Sequence, residues 1–181
     1  DDEINNAIAE LQLTVTDELI GDLKTMQQAT NFGSLITPKT KLNDLQALFE
    51  HLENLKQKNN LFHKAIIDEL STAVGQLIKL SPKFHCVVAN PPYMGGGGMN
   101  KELAQFVKTN YPDSKSDLMA CFMELGLFKL NPMGFMGMIN QHSWMFLSSY
   151  EKLRVKLIEN IFFDTLLHLG ARTFPEIGGE V

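Results

Sequence analysis

The sequence predicts an α/β protein, with an open, mostly parallel sheet preceded by a helical segment. Three observations carry this. From residue 83 onward, short apolar runs alternate with helical stretches, the pattern of parallel strands joined by helical crossovers. Before residue 83, two apolar stripes recur at helical spacing. The first apolar run of the alternating part ends abruptly in Asn90-Pro91-Pro92-Tyr93. Sites in open sheets lie at the carboxyl ends of strands. The expected organisation is therefore residues 1–82 as a mostly helical insertion or scaffold and residues 83–181 as the part bearing that loop.

Taken in order, LQLTV reads as a short strand and Thr16 as the cap of a helix beginning DELIGDLKTMQQA, with Asp17 and Glu18 favourably placed in its first turn. Phe32-Gly33-Ser34 and Pro38 break the pattern. Leu42, Leu45, Phe49, Leu52 and Leu55 form one stripe, and Asn59-Asn60 a turn. Leu61 or Phe62, Ala65, Ile66, Ala73, Val74, Leu77 and Ile78 form the second stripe, ended by Ser81-Pro82. Two amphipathic helices joined by a short polar turn make a hairpin, either an inserted scaffold or a partner-binding helix pair.

In the second part FHCVVA reads as strand, MNKELAQFVKTN and SDLMACFMELGLFKL as helices, Asn131-Pro132-Met133-Gly134 as a turn, and FMGMIN as strand. Ser148-x-x-Glu151 is a candidate capping box opening the next helix, and IFFDTLLHL reads as strand. Gly95 to Gly98 reads as a mobile loop bordering a substrate, because no Gly-Lys-Ser/Thr follows to make a phosphate cradle.

Composition narrows the function classes. The chain has 181 residues, 44% of them apolar, and a mean hydropathy of −0.08, ordinary for a globular protein. No apolar run approaches the roughly 20 residues that span a bilayer and no signal segment opens the chain, so the expectation is a cytoplasmic protein without a membrane partner. Cys86 and Cys121 do not make a disulfide framework and are expected as small core residues. The histidines at 51, 63, 85, 142 and 168 show no metal-ligand spacing; His142 with Trp144 either lines a cleft or belongs to a packed loop. Residues 1–80 hold 12 acidic and 7 basic side chains and carry the whole net charge of −5. That argues against this part as a DNA-tracking surface, which needs clustered Lys and Arg. The remainder is neutral and suits at most local contact with a phosphate backbone.

The loop carries the chemistry. Two prolines each lock φ and bias the preceding residue towards extended geometry, so an amide, a main-chain carbonyl and an aromatic ring are held stiffly at the sheet edge. That set suits gripping the amino group of a planar amide or nucleobase. The lone pair of such an amine is delocalised into the ring, and two acceptors facing its hydrogens localise and aim it. The side-chain oxygen of Asn90 and the main-chain oxygen of Pro91 are the candidate acceptors, and Tyr93 the stacking ring. A target base in duplex DNA must be flipped out before its amine is reached. An Asn-Pro-Pro turn is also ordinary loop chemistry, so the loop alone does not decide the function.

The order of motifs adds weight. Asn90-Pro91-Pro92-Tyr93, Ser116-Asp117-Leu118, the 131–134 turn, His142-Ser143-Trp144 and Leu169-Gly170-Ala171-Arg172-Thr173-Phe174 together resemble the catalytic domain of gamma-type DNA adenine methyltransferases over roughly residues 84 to 181. YMGGGGMN and YPDSKSDL are most similar to the large restriction–modification and phage-defence enzymes. The resemblance implies a Rossmann-like methyltransferase domain, S-adenosylmethionine as cofactor, and double-stranded DNA with a flipped adenine as partner. It assigns Asn90, Pro91, Pro92 and Tyr93 to catalysis, Tyr93 and Phe174 to the two faces of the flipped base, and Phe122 to the cofactor's adenine. Leu118, Phe122, Leu125 and Leu127 also form an apolar helical stripe that suits a core.

One departure from the family is serious. A complete enzyme needs a glycine-rich strand–turn–helix before the catalytic loop, yet residues 1–83 contain only Gly21, Gly33 and Gly75, none in a Gly-x-Gly. The expectation is a fragment of a larger polypeptide, inactive alone, whose cofactor motif lies upstream and whose recognition domain lies downstream. Two other readings stay open: an RNA-base or protein-glutamine methyltransferase of the same fold, and a degenerate scaffold without catalysis.

Overall fold

The computed structural model of the protein describes residues 6, 8, 9, 11, 13, 15–58 and 63–170. The chain divides into two compact units, Asp1–Pro82 and Lys83–Val181. Among the described residues, no helix is long and apolar enough to cross a membrane.

The first unit is helical where described. Helix α1 is Asp17–Met26, and the Thr16 hydroxyl accepts the Leu19 N–H at 3.3 Å as its cap. Asp22 is buried on α1, and its carboxylate accepts the N–H groups of Lys39 and Thr40 and the Thr40 hydroxyl at 2.7–3.1 Å. Those bonds offset the cost of burying a charge and fix the segment leading to the next long helix. Helix α2 is the short Ala29–Phe32, followed by Gly33, whose positive φ of 54° suits glycine.

Helices α3 (Leu42–Gln57) and α4 (Lys64–Leu80) pack on each other. Leu45 and Leu52 are the buried residues of α3, and the Phe49 ring lies against Gly75 of α4. The buried face of α4 is Ile67, Leu70, Ser71, Val74 and Leu77. Val74 and Leu77 are as expected, but Ala65 is exposed and Ile67 takes the place expected of Ile66. Apolar neighbours at 66/67 and 77/78 leave the helical phase open by one residue, and burial selects the larger set. The predicted turn at 59–60 and residues 61–62 lie outside the described residues. Of LQLTV only Leu11, Leu13 and Val15 are described, and none is in a strand.

The second unit is a mixed helix and strand assembly built on a two-stranded parallel sheet of β1 (Phe84–Ala89) and β2 (Leu130–Met138). Cys86, Val87, Val88 and Ala89 face Phe135, Met136, Gly137 and Met138 in register. Between the strands lie α5 (Lys101–Asn110), capped by Asn100, and α6 (Leu118–Lys129), capped by Asp117. After β2 come single turns at His142–Met145 and Ser148–Tyr150, then α7 (Glu151–Asn160). Met119, Ala120 and Met123 of α6 make a core with Trp144, Tyr150, Leu153 and Leu157. Eight of the twelve residues of α6 are buried, which makes it the central element of the unit. Phe84, Val88 and Phe135 of the sheet are exposed.

Several expectations are corrected here. Asn131–Gly134 is not a free turn before a strand. The register jumps from Phe84↔Leu130 to Cys86↔Phe135, so these residues form a bulge within β2, with Met133 at φ 61°. IFFDTLLHL is not a strand: residues 161–169 are irregular, outside both β1 and β2, and Phe162, Leu166 and Leu167 are largely exposed. Strand propensity reflects fit to a pleated surface and is not realised without a neighbour. The Ser148 capping box does not form; the Ser148 carbonyl accepts the Glu151 N–H in a tight turn instead. Cys121 is buried as expected, whereas Cys86 is exposed.

Candidate active site

The sheet delivers the loop. Asn90 follows Ala89 at the carboxyl end of β1 and is exposed, whereas Pro91 is buried and Tyr93 is partly buried. The two strands stay in step to this point, since the Ile139 N–H donates to the Ala89 carbonyl at 3.3 Å. Tyr93 then reaches back across the sheet end, and its hydroxyl donates to the Ile139 carbonyl at 3.1 Å. Its ring packs against the core of α6 and α7, and burial raises its pKa above that of free tyrosine. The ring is thus a fixed platform and its hydroxyl a stable donor.

The far end of the loop is tied to α6. One carboxylate oxygen of Asp117 accepts the Met119 N–H at 2.9 Å, which caps the helix, and the Met94 N–H at 3.2 Å. The Leu118 N–H donates to the Met94 carbonyl at 3.0 Å and the Gly96 N–H to the Ser116 carbonyl at 3.1 Å, so Gly95 and Asp117 form an antiparallel bridge. The glycine run, expected as a mobile border, is hydrogen-bonded at its first two residues and turns through Gly96–Gly98. The Asp117 bridge escaped the sequence reading. Its signal was an Asp immediately before an apolar helix, the mark of an N-cap, but nothing in the sequence says that the same oxygen also takes the Met94 N–H.

A partly buried polar network links α6 to α7. The Ser114 hydroxyl, fully buried, donates to Glu124 of α6 at 2.7 Å, and Lys156 of α7 bridges Glu124 and Asp113, the latter at 2.9 Å. Burial works against the Lys156 charge, but its hydrogen bonds to Glu124 and Asp113 prevail and raise its pKa. Arg154 donates to the Trp144 and Leu147 carbonyls at 2.8 and 2.6 Å and holds the 142–147 segment onto α7. Trp144 is buried and stacked on Phe163. The structure therefore favours a packed loop for Trp144, while His142 lies beside Phe146 and His168.

The motif order of the sequence and this loop geometry meet in one comparison: residues 2–174 match the family model of the Eco57I restriction-modification methylases. The chain belongs to the Eco57I methylase family. It is 44% identical over 164 residues to the adenine-specific methyltransferase BrxX of Escherichia coli O9:H4 (strain HS), a match covering 90% of this chain and 14% of the relative. It is 50% identical over 102 residues to the adenine-specific methyltransferase PglX of Lacticaseibacillus casei (strain Zhang), covering 56% of this chain and 8% of the relative. The chain thus spans less than a sixth of the length of these curated relatives.

The remaining expected site residues divide by position. Phe122 lies on α6, partly exposed between the buried Cys121 and Met123. Phe174 lies outside the described residues. The described residues do not by themselves make the cofactor site that an Eco57I-family methylase implies. Gly21 and Gly75 are inside helices and Gly33 ends one, so among the described residues before β1 no strand–glycine–helix turn offers itself to a nucleoside.

Proposed function

We propose that this chain carries the catalytic loop of a DNA adenine methyltransferase of restriction–modification or phage defence, with S-adenosylmethionine as the methyl donor its family implies. The observation that carries the reading is the placement of Asn90, exposed at the carboxyl end of β1, three residues before a tyrosine ring pinned to the neighbouring strand. In this reading Asn90 and the Pro91 carbonyl accept the two hydrogens of the adenine amine, and Tyr93 and Phe174 stack on the flipped base. Phe122 borders the cofactor. Residues 1–82 serve as a helical scaffold and residues 83–181 as the catalytic-loop half of a Rossmann-like domain. The names of both relatives support adenine over the RNA-base and protein-glutamine alternatives.

The test is to express the full-length polypeptide carrying this sequence in a methylation-free host and map N6-methyladenine in the host DNA, beside Asn90→Ala. Methylation in one sequence context that drops about 10²–10³-fold in the variant, the scale of losing an oriented polar group, supports the reading. Unmodified DNA from a well-expressed protein that binds S-adenosylmethionine overturns the DNA assignment; no cofactor binding overturns the enzyme.

A further inference from the structure

We propose that Asp117 is a positioning residue of the methyl-transfer site, a role that rests on the functional reading above. The loop from Asn90 to Met94 is anchored at both ends. On the sheet side the Ala89 carbonyl and the Tyr93 hydroxyl both meet Ile139. On the helix side the anchor is Met94, whose N–H donates to Asp117 and whose carbonyl accepts from Leu118. Asp117 is 8% exposed, and its carboxylate hydrogen-bonds the end of the loop to the start of α6. A capping residue normally serves only its own helix. Here the Oδ1 atom that caps α6 through Met119 also takes the Met94 N–H, 23 residues upstream, so the start of α6 and the end of the loop move together. α6 is anchored in turn by its core residues and by the Glu124 network. The aim of Asn90 and of the Pro91 carbonyl is therefore set from the helix as well as from the sheet. Misplacement of reacting groups by about 1 Å costs on the order of 10²-fold in rate.

The chemistry of the clamp selects the variants. Both bonds fall on one oxygen, so Asp117→Asn can keep both. Serine is as good a cap, but its single short hydroxyl does not span to Met94. In the full-length polypeptide, Asp117→Ser is expected to keep its melting temperature near that of Asp117→Asn while kcat for DNA methylation falls about 10²-fold with KM for DNA little changed. Asp117→Asn is expected within about threefold of wild type, because the acceptor rather than the charge positions the loop. Amide hydrogen exchange across residues 90–96 is expected to be faster in Asp117→Ser than in Asp117→Asn. Wild-type kcat in Asp117→Ser, or a loss in Asp117→Asn as deep as in Asp117→Ser, overturns the proposal. If the wild-type polypeptide makes no methyladenine the functional reading fails; the exchange comparison then decides the clamp, and equal exchange in the two variants overturns it.

Discussion

The Tyr93 hydroxyl donates to the main-chain carbonyl of Ile139 at 3.1 Å, joining residues 46 positions apart at the carboxyl ends of the two parallel strands. The bond fixes an aromatic ring that the two prolines before it already hold stiffly. Under the proposed function the roles separate within one side chain: the hydroxyl orients the ring, and the ring is the surface offered to the base. Tyr93→Phe removes one hydrogen bond at a partly exposed position, a loss of about 0.5–1 kcal/mol in stability, and is expected to leave methylation within a few-fold of wild type. Tyr93→Ala also removes the ring, and base–aromatic stacking is worth about 1–3 kcal/mol, so methylation is expected to fall about 10–100-fold. Melting curves and single-turnover methylation of the two variants, made in the full-length polypeptide, check this. A Phe variant as impaired as the Ala variant would mean that the ring is not what touches the base.

Glu124, Lys156, Asp113 and Ser114 link α6, α7 and the segment before α6. Lys156→Met leaves the Glu124 carboxylate, 4% exposed, with only the Ser114 hydroxyl among its described partners. Uncompensated buried charges cost about 3–5 kcal/mol, and the one-third exposure of Lys156 places the loss at the lower end. The sign of the pH dependence follows from the raised pKa of Lys156. Its stabilisation is complete below the ordinary lysine value of 10.5 and is lost as pH rises through the higher folded value. Denaturant unfolding at pH 8 is expected to show the deficit of Lys156→Met, and the gap to wild type is expected to narrow above pH 10.5. A deficit independent of pH throughout would assign it to packing instead.

Cys121 is fully buried, and its thiol donates to the Ser114 carbonyl at 3.4 Å. Burial, with the neighbouring carboxylates Glu124 and Asp117 adding to it, pushes the thiol from 9.0 to about 12. Because the thiolate is the nucleophile, Cys121 is expected to resist alkylation at pH 8.5 until the protein unfolds. The neutral thiol is the form that folding favours, so its contribution is present below pH 9.0 and is lost as pH rises towards about 12. Mass spectrometry of alkylated peptides, with and without denaturant, is the check; rapid modification of Cys121 in the native protein would contradict the burial.

What the sequence made legible, and what it did not, follows from the range of the interactions. The strand Phe84–Ala89, the Thr16 cap and the helix starting after Asp117 were legible because each is written in a few adjacent residues. The strand end at Asn90 was legible for the same reason. The link from Asp117 to Met94 was not, since it joins a side chain to a backbone group 23 residues away. The predicted strand at 161–169 failed because a strand is a relation between two segments, and no described segment supplies its ladder. The capping box at Ser148 failed because a tight turn satisfied the same donor from the backbone.

The bulge in β2 gives a prediction free of any functional assumption. Met133 is 95% exposed and holds φ 61°, a conformation costing an L-residue about 1–2 kcal/mol, whereas glycine adopts it freely. Met133→Gly loses almost no packing, and the relief exceeds glycine's extra chain entropy of about 0.5–1 kcal/mol, so the variant is expected to be as stable as wild type or up to about 1 kcal/mol more stable. Gly134 is the opposite case. A Cβ there would lie 3.1 Å from the His85 carbonyl oxygen, 3.0 Å from that of Asn131 and 2.9 Å from a Leu130 methyl, and two of these three atoms are backbone that cannot swing aside. Gly134→Ala is expected to cost about 1–3 kcal/mol, because the bulge must open or β1 must shift. Chemical denaturation of the two single variants tests the pair. If Met133→Gly destabilises by as much as Gly134→Ala, the bulge does not hold residues 133 and 134 in these conformations.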